Sequence, residues 1–141
     1  MPNVKYYKKT CVSTKSILNE LVLFDLSDKT TKRIIGDSPF SFEDLGRRTY
    51  EDLINMGRMF CIDAAVSNKM IAVLYDGRRI IETREGPGEK TFIRLFDWNG
   101  HTLVELHFDK YYTQVALNEN NQELYLLDAE DNIYYFNFHL L

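Results

Sequence analysis

The three histidines are the residues in this chain best suited to binding a metal ion. His101 and His107 lie on one predicted strand, where six residues at about 3.3 Å each separate them by about 20 Å. One metal ion cannot contact both side chains. His139 has no fixed spacing to either of them. The sequence therefore predicts no zinc site, and we expect no cofactor.

A second candidate is the acidic stretch that begins at Asp128. Asp128, Glu130 and Asn132 have the alternating spacing that opens a calcium-binding loop. However, Ile133 stands where that loop needs glycine, and His139 stands where it needs a bidentate glutamate. We therefore interpret the stretch as a solvated turn.

Nucleophilic chemistry has little support in the sequence. Cys11 and Cys61 are widely spaced and form no C-x-x-C pattern, so they are expected to be buried thiols. The chain contains no G-x-S-x-G elbow, P-loop or dinucleotide fingerprint, and Gly86-Pro-Gly88 is typical of a turn. A Ser/His/Asp site could arise only if the fold assembled one.

Aromatic side chains are the remaining candidates for a binding surface. Tyr111 and Tyr112 lie between predicted strands, Trp98 lies beside a turn, and Tyr134 lies near the C-terminus. Strand alternation places at least one member of each Tyr-Tyr pair in the core.

Arginines near the centre of the chain offer a weaker hypothesis, an anionic ligand. Arg47, Arg48 and Arg58 could face such a ligand. Carboxylates one helical turn away from Arg47 and Arg48 account for those two equally well.

Composition limits the class of protein. The 141 residues carry 17 Lys and Arg against 21 Asp and Glu, a net charge of −4, with 45% hydrophobic and 13% aromatic residues. This is the composition of an ordinary globular domain rich in strand-favouring Tyr and Phe. The acidic balance argues against a nucleic-acid partner. Lys5, Lys8 and Lys9 form a small basic cluster, expected at a strand edge or end.

Turn signals divide most of the chain into short strands. Asn99-Gly100 and Asp76-Gly77 favour two-residue type I′ hairpins, which would join residues 91–98 to 101–108 and residues 69–75 to 78–83. The other predicted strands are residues 4–12, 21–26, 31–35, 114–117, 123–127 and 133–138.

The Asn99-Gly100 turn also predicts a register. The expected cross-strand pairs are Trp98 with His101, Phe96 with Leu103, Arg94 with Glu105, Leu95 with Val104, and Ile93 with Leu106. Both faces of this hairpin are largely apolar, so both should be covered.

Only residues 41–56 have the pattern of a helix. Ser41 and Asp44 form a capping box at its start, and Gly57 is a plausible stop. Opposite charges alternate one turn apart in two series, Glu43/Arg47/Glu51 and Asp44/Arg48/Asp52. Gly46 within the stretch costs about 1 kcal/mol relative to alanine.

Internal similarity is the most informative feature. Residues 22–28 and 94–100 share a Leu-Phe-Asp motif, and residues 62–74 track residues 115–127 at a shift of 53. That shift is close to the roughly 40 to 50 residues of a four-stranded propeller blade. The alternative is that any antiparallel meander of similar strand length looks self-similar.

These stretches also resemble a known family. Phe60-Cys-Ile-Asp-Ala-Ala, Met70-Ile-Ala-Val-Leu-Tyr, Ile93-Arg-Leu-Phe-Asp-Trp and Val115-Ala-Leu-Asn-Glu are similar to consecutive blades of the TolB-like six-bladed β-propeller proteins abundant in Bacteroidetes. The resemblance covers residues 21–138. Those relatives are longer and often exported as lipoproteins.

We therefore expect an all-β fold of β-propeller type. It would be one domain, residues 1–141, with four-stranded antiparallel blades at about 1–40, 58–108 and 109–141 and a short inserted helix within 41–57. A closed propeller needs roughly four to eight blades. The chain therefore predicts a partial or half propeller.

Two functions follow from that fold. The first is a non-enzymatic binding or scaffolding module for a protein or carbohydrate ligand. Two half rings could close as a homodimer of six blades, or the chain could be an open half-propeller monomer or a portion of a longer propeller. The alternative is a hydrolase or lyase acting at a central funnel formed on assembly, which rests on fold analogy alone.

Localisation is left open. The sequence contains no apolar run of the roughly 18 to 20 residues needed to span a bilayer, and no signal-peptide core follows the first basic residues. The resemblance instead implies exported relatives.

Overall fold

The computed structural model describes residues 3–118 and 122–138. These residues form eleven strands and three short helices. The strands are β1 (Asn3–Tyr7), β2 (Thr10–Thr14), β3 (Glu20–Asp25), β4 (Thr31–Ile35), β5 (Cys61–Val66), β6 (Ile71–Tyr75), β7 (Thr91–Phe96), β8 (Thr102–Phe108), β9 (Tyr112–Asn118), β10 (Glu123–Asp128) and β11 (Ile133–Asn137). The helices are α1 (Phe42–Leu45), α2 (Tyr50–Met56) and α3 (Ile80–Thr83). No described helix is long and apolar enough to cross a membrane.

The strands form three antiparallel meanders. Strands β1 to β4 make the first sheet, β5 to β8 the second, and β9 to β11 the third. The leading strands contact one another in succession, because β5 packs against both β1 and β9. Sheets arranged around their leading strands are the blades of a β-propeller-type fold, which confirms the predicted fold class.

Two cores hold the sheets together. The first lies between sheets one and two and includes Val12, Leu21 and Ile71. The second lies between sheets two and three and includes Leu74 and Leu124. The middle sheet therefore buries both faces, and every residue of β6 is buried.

The upper and lower ends of this arc are defined by the loops that meet there. The upper end carries the connections after β2, β4, β6, β8 and β10, and the lower end carries those after β1, β3, β5 and β7. Ser16, Asp76 and Tyr111 share one cleft at the upper end. Lys8 and Trp98 share another at the lower end.

The β7–β8 hairpin matches the prediction in its body and differs at its tip. The pairs Arg94 with Glu105, Leu95 with Val104 and Ile93 with Leu106 are confirmed. The two-residue turn is wrong: the Asp97 carboxylate accepts the backbone N–H groups of Asn99 and His101, both at 2.9 Å. This widens the loop by one residue.

The wider loop shifts the pairing beside it. Phe96 pairs with Thr102 instead of Leu103 across a bulge, and Trp98 does not pair with His101. Gly100 accommodates the change because its φ is +86°.

The predicted Asp76-Gly77 hairpin does not form. Strand β6 pairs instead with β7, and residues 80–83 are helical. Arg78 and Arg79 pair with the segment just before β5, through a hydrogen bond from the Met59 N–H to the Arg78 carbonyl and a bridge between Arg58 and Arg79. The Glu82 carboxylate accepts the Arg79 N–H at 2.8 Å and starts α3.

The N-terminal strand predicted at residues 4–12 is a hairpin. Lys8, with a φ of +51°, turns β1 into β2, so both Lys8 and Lys9 lie at the turn. The sequence did not predict this turn, because it contains neither glycine nor asparagine and strand-favouring residues lie on both sides of it.

The predicted helix at 41–56 is two helices. The Ser41 capping box is confirmed, and Thr49 with Asp52 forms a second one that starts α2. Helix α1 ends at Gly46 after one turn, so the two predicted charge series do not run along one helix.

Candidate functional site

The outer face of the first sheet, which we call the β1 flank, is partly apolar and open. Alternation and register place Val4, Tyr6, Phe24 and Ile35 on it, with the Arg33–Glu20 ion pair at 2.6 Å between them. Tyr6 is 66% exposed and Ile35 is 67% exposed. The opposite face of the same sheet lies in the first core.

The outer face of the third sheet, the β11 flank, has the same character. Its register places Ala116, Tyr125 and Tyr135 in one row and Leu127 with Ile133 in the next. Ile133 is 73% exposed and Tyr135 is 65% exposed. The Tyr125 and Tyr135 rings lie 6.5 Å apart, so the flank presents two neighbouring aromatic rings.

The upper end holds a cleft of about 420 Å³, lined by residues of β5 and of the connections after β2, β4, β6 and β8. Asp76 lines this cleft, and its side chain is 1% exposed and faces Arg78. The Arg78 guanidinium donates from Nε to one Asp76 oxygen at 2.8 Å and from its terminal nitrogen to the other at 2.9 Å. Tyr111 donates its hydroxyl to Asp76 at 2.7 Å.

These contacts decide the charge state of the site. Burial raises the pKa of the Asp76 carboxyl, but hydrogen bonds from Arg78 and Tyr111 outweigh it and leave that pKa below the usual value. Burial and the hydrogen bond to Asp76 raise the pKa of the Tyr111 hydroxyl to about 12. Arg78 also donates to the Gly86 carbonyl at 3.0 Å, so it anchors the β6–β7 connection.

Cys61 is the thiol that borders this cleft. Burial raises its pKa to about 11, although Thr14, whose hydroxyl lies 2.9 Å from the Sγ atom, acts in the opposite direction. At neutral pH the group is a thiol, not a thiolate nucleophile.

The Asp128 stretch forms a second buried carboxylate at the upper end. Asp128 accepts the Asn132 N–H at 2.8 Å and pairs with the Lys110 ammonium at 3.0 Å. Lys110 also donates to the Tyr134 hydroxyl at 2.9 Å. The carboxylate that would open a calcium loop therefore bonds to this chain's own groups.

The four predicted aromatic residues occupy different places. Tyr111 lines the upper cleft, and Trp98 lines a pocket at the lower end. Tyr112 is 3% exposed and lies in the second core, so it offers no surface. Tyr134 packs partly against that core, and its neighbour Tyr135 is the exposed member of the pair.

His101 and His107 are exposed on the surface. His101 contacts the Asp97 carboxylate at 3.2 Å, and His107 contacts Glu105 at 2.7 Å. His139 lies outside the described residues. Within residues 3–118 and 122–138, no three His, Cys, Asp or Glu side chains gather as a metal site.

Sequence reasoning did not identify which residues form the two flanks. Tyr6 was hidden inside a predicted continuous strand, and Tyr135 lay beside a candidate of the same type. The available signal was period-two alternation, which places Tyr6 with Val4, and Tyr135 with Ile133, on one face of each strand.

Comparison with solved structures identifies the architecture. A chain in the crystal structure of the mitotic checkpoint complex matches 97% of this chain and 36% of its own length, with a TM-score of 0.56 and 10% identity. BamB from Moraxella catarrhalis matches 96% of this chain and 43% of its own, with a TM-score of 0.36 and 10% identity. This chain thus spans less than half the length of either. No family model and no curated protein matches the sequence.

The class of protein follows from the fold. Three antiparallel sheets set around successive leading strands, together with the likeness to the chain in the mitotic checkpoint complex, give this chain a β-propeller-type fold.

Proposed function

We propose that the chain is a non-enzymatic, propeller-type interaction module that closes with a second copy of itself. One observation carries the proposal: both outer sheets expose aromatic and aliphatic side chains on their outer faces. Tyr6 and Ile35 mark the β1 flank, and Ile133 and Tyr135 mark the β11 flank. Exposed apolar patches of this kind are typical of interaction sites.

The two internal junctions support this interpretation. Between sheets one and two, and between sheets two and three, apolar faces pack against each other and are buried. The flanks carry exposed aliphatic and aromatic side chains, and side chains of these types also join one sheet to the next inside the chain.

The arrangement proposed is head to tail. The β1 flank of one copy covers the β11 flank of the other, and a two-fold axis repeats the junction. Two arcs of three sheets then give six blades, within the range of closed propellers. The narrower TolB-like assignment belongs to this proposal, because such relatives have six blades.

The groups at the upper end favour binding over hydrolysis. The Asp76 carboxylate accepts hydrogen bonds from Arg78 and Tyr111, so it is a poor general base. The neutral Cys61 thiol is a poor nucleophile at pH 7.

The solution mass tests the proposal. Light scattering behind size exclusion, at two concentrations of the 141-residue chain, should give about twice the 16.6 kDa of one copy. A stable 16.6 kDa species at both concentrations would overturn it.

Charged variants locate the interface. Tyr135→Asp should weaken dimerisation at least about 30-fold, as expected for an aromatic anchor of about 2 kcal/mol. Tyr50→Asp is the matched control, because Tyr50 is 72% exposed on α2 and lies on neither flank. Circular dichroism verifies that each variant is folded, and equal weakening by both variants would contradict the proposed interface.

A further inference from the structure

A pocket of about 350 Å³ opens at the lower end, where the first two sheets diverge. That volume is in the range of small-ligand sites. Four turns contribute to the pocket, together with strand residues from the first sheet. The lining residues are Tyr7, Lys8, Thr10, Leu23, Asp25, Thr30, Lys32, Asn68 and Trp98. The pocket is distinct from both flanks and from the upper cleft.

Two lysines give the pocket a positive mouth. Lys32 donates to the Asn99 backbone carbonyl, which is neutral, and Lys8 lies 5.4 Å from the centre of the Tyr7 ring. Neither ammonium pairs with a carboxylate among the described residues. The single acidic residue in the lining is Asp25.

The Asp25 carboxylate is engaged by its own turn. It accepts the Ser27 N–H at 2.7 Å and the Asp28 N–H at 3.4 Å. Those dipoles partly offset its charge, so the two lysines determine the sign of the field at the mouth.

Aromatic rings form one wall of the pocket. The Trp98 and Tyr7 rings lie 5.9 Å apart at an angle of 33°. Trp98 is held in place because its indole N–H donates to the Ser67 carbonyl at 3.0 Å. A fixed, half-buried ring beside two ammonium groups suits a ligand with one flat apolar part and one anionic part.

We propose that this pocket binds a carboxylate joined to a flat apolar group. The carboxylate would lie between Lys8 and Lys32, and the apolar group would pack on Trp98. The lining has no arginine and no helix N-terminus, and its formal charge is about +1, which fits a monoanion better than a phosphate. The shared chemistry could come from a small aromatic acid or from an acidic side chain next to an aromatic one in a peptide.

Trp98 is the sole tryptophan of the chain, so its fluorescence reports on this pocket. The wild-type chain is titrated with phenylacetate, with neutral phenylacetamide, and with a capped Phe-Glu dipeptide. We expect a saturable change in Trp98 fluorescence with phenylacetate, with the dipeptide or with both. Phenylacetamide should bind at least about tenfold more weakly. Tighter binding of phenylacetate would identify a small aromatic acid as the ligand, and tighter binding of the dipeptide would identify a peptide.

Lysine variants test the anionic contact. Lys8→Gln and Lys32→Gln should each weaken carboxylate binding about tenfold, whereas Lys29→Gln, an exposed lysine outside the pocket, should leave it unchanged. Raising the salt concentration should weaken binding as well. Any one of three results would overturn the proposal. These are no saturable response to either carboxylate, equal affinity for phenylacetamide, and unchanged carboxylate affinity in both lysine variants.

Discussion

Asp76 and Asp128 occupy matching places at the upper ends of β6 and β10, and both carboxylates are almost completely buried. Their partners differ. Asp76 is held by Arg78 and Tyr111, and Asp128 is held by Lys110 and Asn132. A buried carboxylate is stable only when its oxygens are paired, so each one fixes the connection that follows its strand.

Asp128 should make stability depend on pH in the acid range. Burial raises the pKa of its carboxyl, but hydrogen bonds from Asn132 and Lys110 outweigh burial and lower that pKa from 3.8 to about 2. Because the folded-state pKa is the lower one, the contribution is present above about pH 4 and is lost as the pH falls towards about 2.

We therefore expect Asp128→Asn to be less stable than wild type at pH 7 and to lose less stability between about pH 4 and about pH 2. Urea unfolding at a series of pH values measures both. Asp109→Asn, at an exposed position after β8, should keep the acid dependence of the wild type. Parallel pH profiles for wild type and Asp128→Asn would show that the carboxylate is not the cause.

At the scale of the elements, the β7–β8 hairpin depends on a glycine. Gly100 has a φ of +86°, and a Cβ atom built there would lie 2.6 Å from the Ile34 side chain. Gly100→Ala should cost about 1 to 2 kcal/mol from the backbone alone. Gly46→Ala is the contrasting variant. Gly46 has a helical φ of −74°, and a Cβ atom built there would lie no closer than 3.9 Å to another atom. This variant should therefore gain about 0.4 to 1 kcal/mol in free energy of unfolding.

Thermal and urea unfolding of the two variants measure this difference. Equal effects at both sites would mean that neither the left-handed backbone nor the Ile34 contact determines the stability of the hairpin.

The same hairpin shows how far sequence reasoning reached. Strand identity and the Arg94–Glu105 register were predicted, because alternation and cross-strand charge pairing act locally. The predicted two-residue turn was wrong because the Asp97 carboxylate accepts the His101 N–H and so stabilises a longer loop. The turn after Asp76 was wrong because Arg78 is fixed by contacts with a segment about twenty residues earlier, and local propensity does not encode such contacts.

The candidate sites were predicted less well than the strands. Trp98 and Tyr111 each line a cleft, but their neighbours there come from distant turns. Lys8 and Lys32 reach the Trp98 pocket only because the first sheet packs on the second. Which tyrosine of a pair faces outward also depended on registers that the sequence left open.

At the scale of the whole molecule, the head-to-tail arrangement predicts complementation. Tyr6→Asp and Tyr135→Asp should each be monomeric alone, because every junction would contain one charged flank. Mixed together, they should form a heterodimer through the one junction in which both flanks are wild type. Light scattering of the mixture measures this.

The same experiment distinguishes the alternative symmetry. If β1 flanks paired with β1 flanks, Tyr135→Asp would still dimerise by itself. That result would contradict ring closure while leaving the Trp98 pocket proposal untouched, since the pocket lies at the lower end.

The position of strand β6 between the two cores determines how the chain unfolds. Ile71, Val73 and Tyr75 belong to the first core, while Ala72 and Leu74 belong to the second. If either core unfolded, it would expose β6, whose other face is packed in the remaining core. The five residues of β6 therefore couple the stabilities of the three sheets. The chain should therefore unfold in one cooperative transition, and the amides of β6 should be the last to exchange with solvent.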